Sequence, residues 1–175
     1  SRTVKGGVIP LPTPRQIPNA LLEEDTVPVA VQDSPGVVSS LDASIKVHLN
    51  NQVWKNGVAF DTCAALCMAP KYMLMRNKFP LVQTDKTLIG VTRLENPLRT
   101  RDLVTITIVK ESKVVSFQVH LYAIEGGAGQ PLLVGQNVLN TFNTTISPSS
   151  VIFRTSKGII TFPLSPKKGV LGKRE

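Results

Sequence analysis

One short run places a reactive group where a fold can use it: Val58-Ala59-Phe60-Asp61-Thr62-Cys63-Ala64. Three apolar residues in succession read as a buried strand, and an aspartate follows it directly. A carboxylate there is costly unless the fold gives it partners or a task. Thr62 sets a hydroxyl beside it, and Ala64 is small enough for the chain to turn tightly. As plain structure, Asp61 caps the turn that follows the strand; as chemistry, it is the site.

The other reactive residues offer less. Cys63 and Cys67 are spaced too tightly for a comfortable bridge, and two thiols alone make no zinc site. They fit a reducing compartment. His48 and His120 both sit within alternating strands, where a half-buried face is the ordinary explanation, so a Cys63–His nucleophile pair is the weaker arrangement. Met68, Met73 and Met75, near Tyr72, read as gap-filling core or interface residues. Gly126-Gly127-Ala128-Gly129 lacks the Lys-Ser/Thr of a phosphate loop and precedes a strand, so it reads as a turn. Neither a metal nor a cofactor is expected.

The elements that must position Asp61 follow from the pattern around it. Residues 1–43 form an extended arm, punctuated by Pro10, Pro12, Pro14, Pro18, Pro28 and Pro35, with Leu21-Leu22-Glu23-Glu24 as its one short helical stretch. From Ser44 the texture changes to short β-branched runs broken by turn residues. Strands are predicted at Ile45–Leu49, Val53–Lys55, Val58–Phe60, Thr87–Thr92, Leu103–Val109, Val114–Tyr122 and Leu132–Val134. Asn50-Asn51 and Asn56-Gly57 supply turns, Gln136–Thr141 a short helix, and Val151–Phe153 with Ile159–Phe162 a closing hairpin around Ser156-Lys157-Gly158. The chain is therefore mostly β, with one short helix.

Composition bounds the rest. Hydrophobic residues at 42% and charged residues at 18% exclude a wholly disordered chain, and 175 residues suit one domain. No apolar run approaches the ~18 residues of a membrane span. The chain opens on Ser1-Arg2-Thr3 with no initiator Met and no signal-peptide pattern, which predicts a piece of a longer precursor. The net charge of +8 favours polyanions. However, no basic segment interleaves with the six Phe, two Tyr and one Trp, so a stacking platform for single strands is poorly supported. Lys167, Lys168, Lys173 and Arg174 gather in a basic tail, residues 164–175.

Taken together, the strand ending in Asp61-Thr62-Cys63-Ala64 and the later Pro131-Leu132-Leu133-Val134-Gly135-Gln136-Asn137 resemble the retropepsin-like aspartic proteases of retroviruses, pararetroviruses and LTR retrotransposons. In that family a hydrophobic strand leads into Asp-Thr/Ser-Gly-Ala. A second strand leads into Gly-Arg-Asn/Asp and a short helix. The resemblance covers residues 44–163 and implies a closed β-barrel or sandwich with one short C-terminal helix, completed by dimerisation. Two positions depart from the pattern. Cys63 stands where the family has Gly, and Gln136 where it has Arg. The Asp with which that Arg pairs in many members is Ala65 here, so both ends of the ion pair are absent together.

The resemblance implies an endopeptidase that cuts its own polyprotein. Asp61 of two subunits would be the catalytic pair, and Thr62 would tie the two loops together. Cys63 and Ala64, with a flap of Leu88-Ile89-Gly90-Val91-Thr92 tipped at Gly90, would face substrate; Ile89, Gly90 and Val91 are the flap residues proper. The expected partners are a second copy of the chain and a polypeptide substrate, with weak nucleic-acid contact through the basic tail and no membrane. The expected location is host cytoplasm or a virus-like particle. Two other readings keep the residues without the reaction: an inactive retropepsin-like dimerisation module, and a β-rich viral structural protein with nucleic-acid affinity.

Overall fold

A computed structural model describes residues 14–16, 26–28, 38–89, 93–126 and 129–166. The alternating and β-branched runs form strands. In chain order these are β1 (Arg15–Gln16), β2 (Thr26–Pro28), β3 (Val38–Ser40), β4 (Lys46–Leu49), β5 (Gln52–Val53), β6 (Val58–Asp61) and β7 (Met68–Pro70). Helix α1 (Lys71–Arg76) follows, then β8 (Leu81–Gln83), β9 (Thr87–Ile89), β10 (Arg93–Glu95), β11 (Leu98–Thr100), β12 (Val104–Lys110) and β13 (Lys113–Val119). After β14 (Tyr122–Ile124) and β15 (Leu132–Val134) come α2 (Gln136–Thr141), β16 (Thr145–Ile146), β17 (Ser150–Thr155) and β18 (Gly158–Pro163).

These strands build four sheets, ordered β1-β13-β12-β4-β5, β10-β9-β2, β3-β6-β15-β7-β14-β11-β8 and β16-β17-β18. The fold is mostly β. The expected closed barrel is corrected to open sheets, since among the described strands no sheet closes on itself. Closure needs one edge strand to pair with another, and the edge strands of the two larger sheets, β1, β5, β3 and β8, are only two or three residues long.

Two more expectations are corrected. The described residues hold two short helices rather than one. Helix α1 forms because Lys-Tyr-Met-Leu-Met-Arg contains no β-branched residue, Pro70 presets the entry backbone, and Met73 and Leu74 bury against the core. The single strand read over Val114–Tyr122 is broken at His120 and Leu121, where the chain leaves one sheet for another. Thr100 fixes that crossing, because its hydroxyl accepts the Leu121 N–H at 3.0 Å while its own N–H donates to the Leu121 carbonyl at 2.9 Å.

Strand β6 is buried on both faces, which explains its unbroken apolar run. Val58 and Phe60 join the main core, where Phe60, Phe142, Phe153 and Phe162 meet edge to face. Ala59 faces a second cluster with Ala64, Leu66, Met68, Leu88, Tyr122 and Leu133. Strand β15 divides the same way, with Leu132 and Val134 on one side and Leu133 on the other.

The described pieces of the arm are strands laid on this body. β1 runs parallel to β13, β2 parallel to β9, and β3 antiparallel to β6. The start of the basic tail is also engaged, with Leu164 buried and the Ser165 N–H donating to the Ser40 carbonyl at 2.8 Å. The helical stretch expected at residues 21–24, and Lys167, Lys168, Lys173 and Arg174, lie outside the described residues. Among the described residues no helix is long and apolar enough to cross a membrane.

Candidate active site

Asp61 closes β6 and is 2% exposed in the single chain. Its Oδ1 accepts the Cys63 N–H at 2.9 Å, and its carbonyl accepts the Ala64 N–H at 3.2 Å, so the chain folds back on the carboxylate within three residues. Among the described residues no cation pairs with it. Burial pushes the carboxyl above the ordinary carboxylate range, while N–H groups of Cys63 and Ala64 pull the other way. A carboxyl held so exchanges its proton at a higher pH than a surface aspartate.

The loop after Asp61 is locked by the second motif. β15 lies between β6 and β7, parallel to β6 and antiparallel to β7, with Val134 opposite Phe60. It therefore delivers Gly135 to the turn that follows Asp61. A β-carbon on Gly135 would stand 2.5 Å from the Leu66 carbonyl oxygen and 2.8 Å from that of Ala64. Only glycine allows this approach. The Gln136 N–H then donates to the Ala64 carbonyl at 2.7 Å, the Asn137 N–H to the Ala65 carbonyl at 3.2 Å, and the Gln136 side-chain amide to the Thr62 carbonyl at 2.9 Å.

Thr62 and Cys63 are exposed on this loop, and Ala64 is buried beneath it. The Thr62 hydroxyl makes no hydrogen bond to a described residue. Cys63 does not adopt a positive φ, so its side chain is accommodated without backbone strain. Cys67 is buried, its thiol 3.5 Å from Asn137 Oδ1, and burial pushes its pKa up to about 12. It is a packing residue. Among the described residues no group of three His, Cys, Asp or Glu side chains assembles that would hold a metal.

The segment expected as a flap falls in a hairpin. β9 and β10 pair antiparallel, with Leu88 opposite Leu94 and Ile89 opposite Arg93. Residues 90–92 connect them, so Gly90 and Val91 lie outside the described residues, as does the side chain of Ile89. Leu88 is 2% exposed and shares its cluster with Ala59 and Ala64, which binds the base of the hairpin to the face beneath the Asp61 loop.

Sequence reasoning missed the cleft beside this hairpin, about 750 Å³ and lined by Gln83, Lys86, Arg99 and Tyr122 among others. Asp61 is not among its lining residues. Arg99 and Tyr122 meet there because β11 pairs with β14 in that register. Arg99 is held by donating from one terminal nitrogen to the Thr100 carbonyl at 2.6 Å and lying 3.0 Å from His120 Nδ1. No local pattern marks these residues, since strands separated by more than twenty residues bring them together. No protein-family model matches the chain, and no curated protein matches it.

Proposed function

We propose that the chain is a retropepsin-like aspartic endopeptidase that acts as a homodimer on its own polyprotein. The observation that carries this reading is the seating of Gly135 against the carbonyls of Ala64 and Leu66. It joins the two segments of the resemblance into one site: an aspartate at a buried strand end, and a Gly-Gln-Asn turn opening a helix on top of it. Gln136 takes up the role of a tether, with its amide on the Thr62 carbonyl in place of the absent ion pair.

A single chain supplies one such aspartate, so the reaction needs a second copy across a two-fold axis. Two carboxyl groups ~3 Å apart cannot both ionise, and the pair shares one proton. The ionised member takes a proton from water as that water attacks the peptide carbonyl. The protonated member donates to the carbonyl oxygen. Burial already favours the protonated form of Asp61 in one chain, which suits the donor role. The exposed Thr62 hydroxyl, with no partner among the described residues, is the group to reach across to the second loop.

Cys63 favours a second reading, an inactive module that dimerises without cutting. Its exposed side chain occupies the loop surface that a partner or substrate would approach. Cleavage by the parent and by Asp61→Asn, on a longer precursor or a peptide library between about pH 4 and 7, separates the two. Cutting that vanishes in the variant, with both dimeric, supports the enzyme. Well-folded dimers that never cut leave the module.

A further inference from the structure

We infer that strand β2 is an intramolecular occupant of a docking edge for extended polypeptide on the flap hairpin, so that the chain's own arm competes with substrate. The name substrate rests on the reading above; the docking edge does not.

A strand has two hydrogen-bonding edges. In the hairpin, β10 takes one edge of β9, with Arg93 to Glu95 opposite Ile89 to Thr87. β2 takes the other, running parallel, with Thr26, Val27 and Pro28 opposite Thr87, Leu88 and Ile89. An extended peptide can add to that edge only by displacing β2. Among the described residues the ladder holds three pairs, and one of them falls at Pro28, a residue with no backbone N–H to donate.

The arm reaches the hairpin from the catalytic strand. Nine residues separate Pro28 from β3, where Val38 pairs opposite Asp61 and Ser39 opposite Phe60. Val38 packs against the cluster that contains Leu88 and Ala64. Besides β1 on β13, the arm is thus pinned on β9 and beside the Asp61 carboxylate, the two places between which, on the reading above, a substrate would lie. Tethered this closely, a weak three-residue strand still holds its edge, because the tether gives it a high effective concentration. A free peptide wins only when the arm is removed, captured or saturated.

The test uses the full chain and a fluorescent peptide of residues 22–32, with amide hydrogen exchange as the second readout. In the parent, the Thr87–Ile89 amides should be protected and the tracer should bind poorly. In Val27→Pro, those amides should exchange faster, and the tracer should bind at least tenfold more tightly and restore their protection. Unchanged protection of β12 and β13 shows that the variant is folded. Replacing Thr26 and Val27 together by Gly should move both readouts the same way, less far. Equal tracer affinity in parent and variants, with equal exchange in β9, overturns the proposal. Asp61→Asn should bind tracer as its parent does, so this result stands whether or not the protein cuts peptide bonds. If it does cut, Val27→Pro should cut faster than the parent.

Discussion

Gly135 packs directly on the turn that carries Asp61, so close that the Leu66 carbonyl oxygen lies 2.5 Å from where its β-carbon would be. Its φ is −100°, an ordinary value, so what excludes other residues is the neighbouring backbone. Two carbonyls cannot swing aside as a flexible side chain would. They also accept from, or adjoin, the Gln136 and Asn137 N–H groups that tie the motifs together.

Gly135→Ala should therefore destabilise the fold by about 1–3 kcal/mol, the usual cost of forcing one extra carbon into a packed site. Denaturant unfolding reads it. The same change should cost any cleavage activity more than stability alone explains, because it shifts the loop that aims Asp61. A neutral Gly135→Ala would mean that the two motifs are not in contact.

The carboxyl of Asp61 makes a prediction with a definite sign. Burial raises its pKa above the value it has in an unfolded chain. Its contribution to stability is then fully present below about 3.8, and is lost as pH rises through the higher folded value. Asparagine keeps an oxygen to accept the Cys63 N–H and never ionises. The melting temperature of Asp61→Asn should thus gain on its parent between pH 4 and pH 7. A difference that stays flat or shrinks would show that the carboxylate is not penalised by its surroundings.

Much of the local structure was legible because burial on both faces leaves a plain signature. Val58-Ala59-Phe60 and Leu132-Leu133-Val134 are continuous apolar runs, and each splits its side chains between two clusters. Helix α2 could be read from Gln136 to Thr141. Helix α1, of the same length and with the same number of buried residues, could not, since its methionines and Tyr72 read equally well as gap-filling core in any backbone conformation. The barrel expectation failed on edges, which no strand announces in its own sequence. The β15 insertion between β6 and β7 and the meeting of Arg99 with Tyr122 are products of long-range pairing, visible only once the register is known.

The two thiols should separate cleanly. Cys63 is exposed, whereas Cys67 is buried with its pKa pushed up to about 12. The thiolate is the reactive species, so Cys67 should stay silent in the folded protein. A disulfide reagent should titrate one thiol per native chain and two after unfolding. Prompt reaction of both would place Cys67 at the surface and remove it from the contact with Asn137. Dimerisation through the Asp61 loop would slow Cys63 as well, and dilution should restore its rate.

Cys63→Gly bears most directly on whether the chain cuts. Since Cys63 does not take a positive φ, glycine brings no relief of strain, only the loss of a side chain and a more flexible unfolded state. Stability should fall slightly, by about 0.4–1 kcal/mol. Activity should move the other way. The exposed thiol stands on the loop that a second Asp61 loop and a bound peptide would both approach, and removing it opens that surface. Turnover of a precursor peptide by Cys63→Gly should therefore exceed that of the parent by tenfold or more, and Asp61→Asn added to it should abolish the gain. Equal turnover in the parent and Cys63→Gly would show that the loop has room for the thiol. If neither cuts, although both dimerise, the obstruction was never Cys63, and the module reading would take the place of the enzyme.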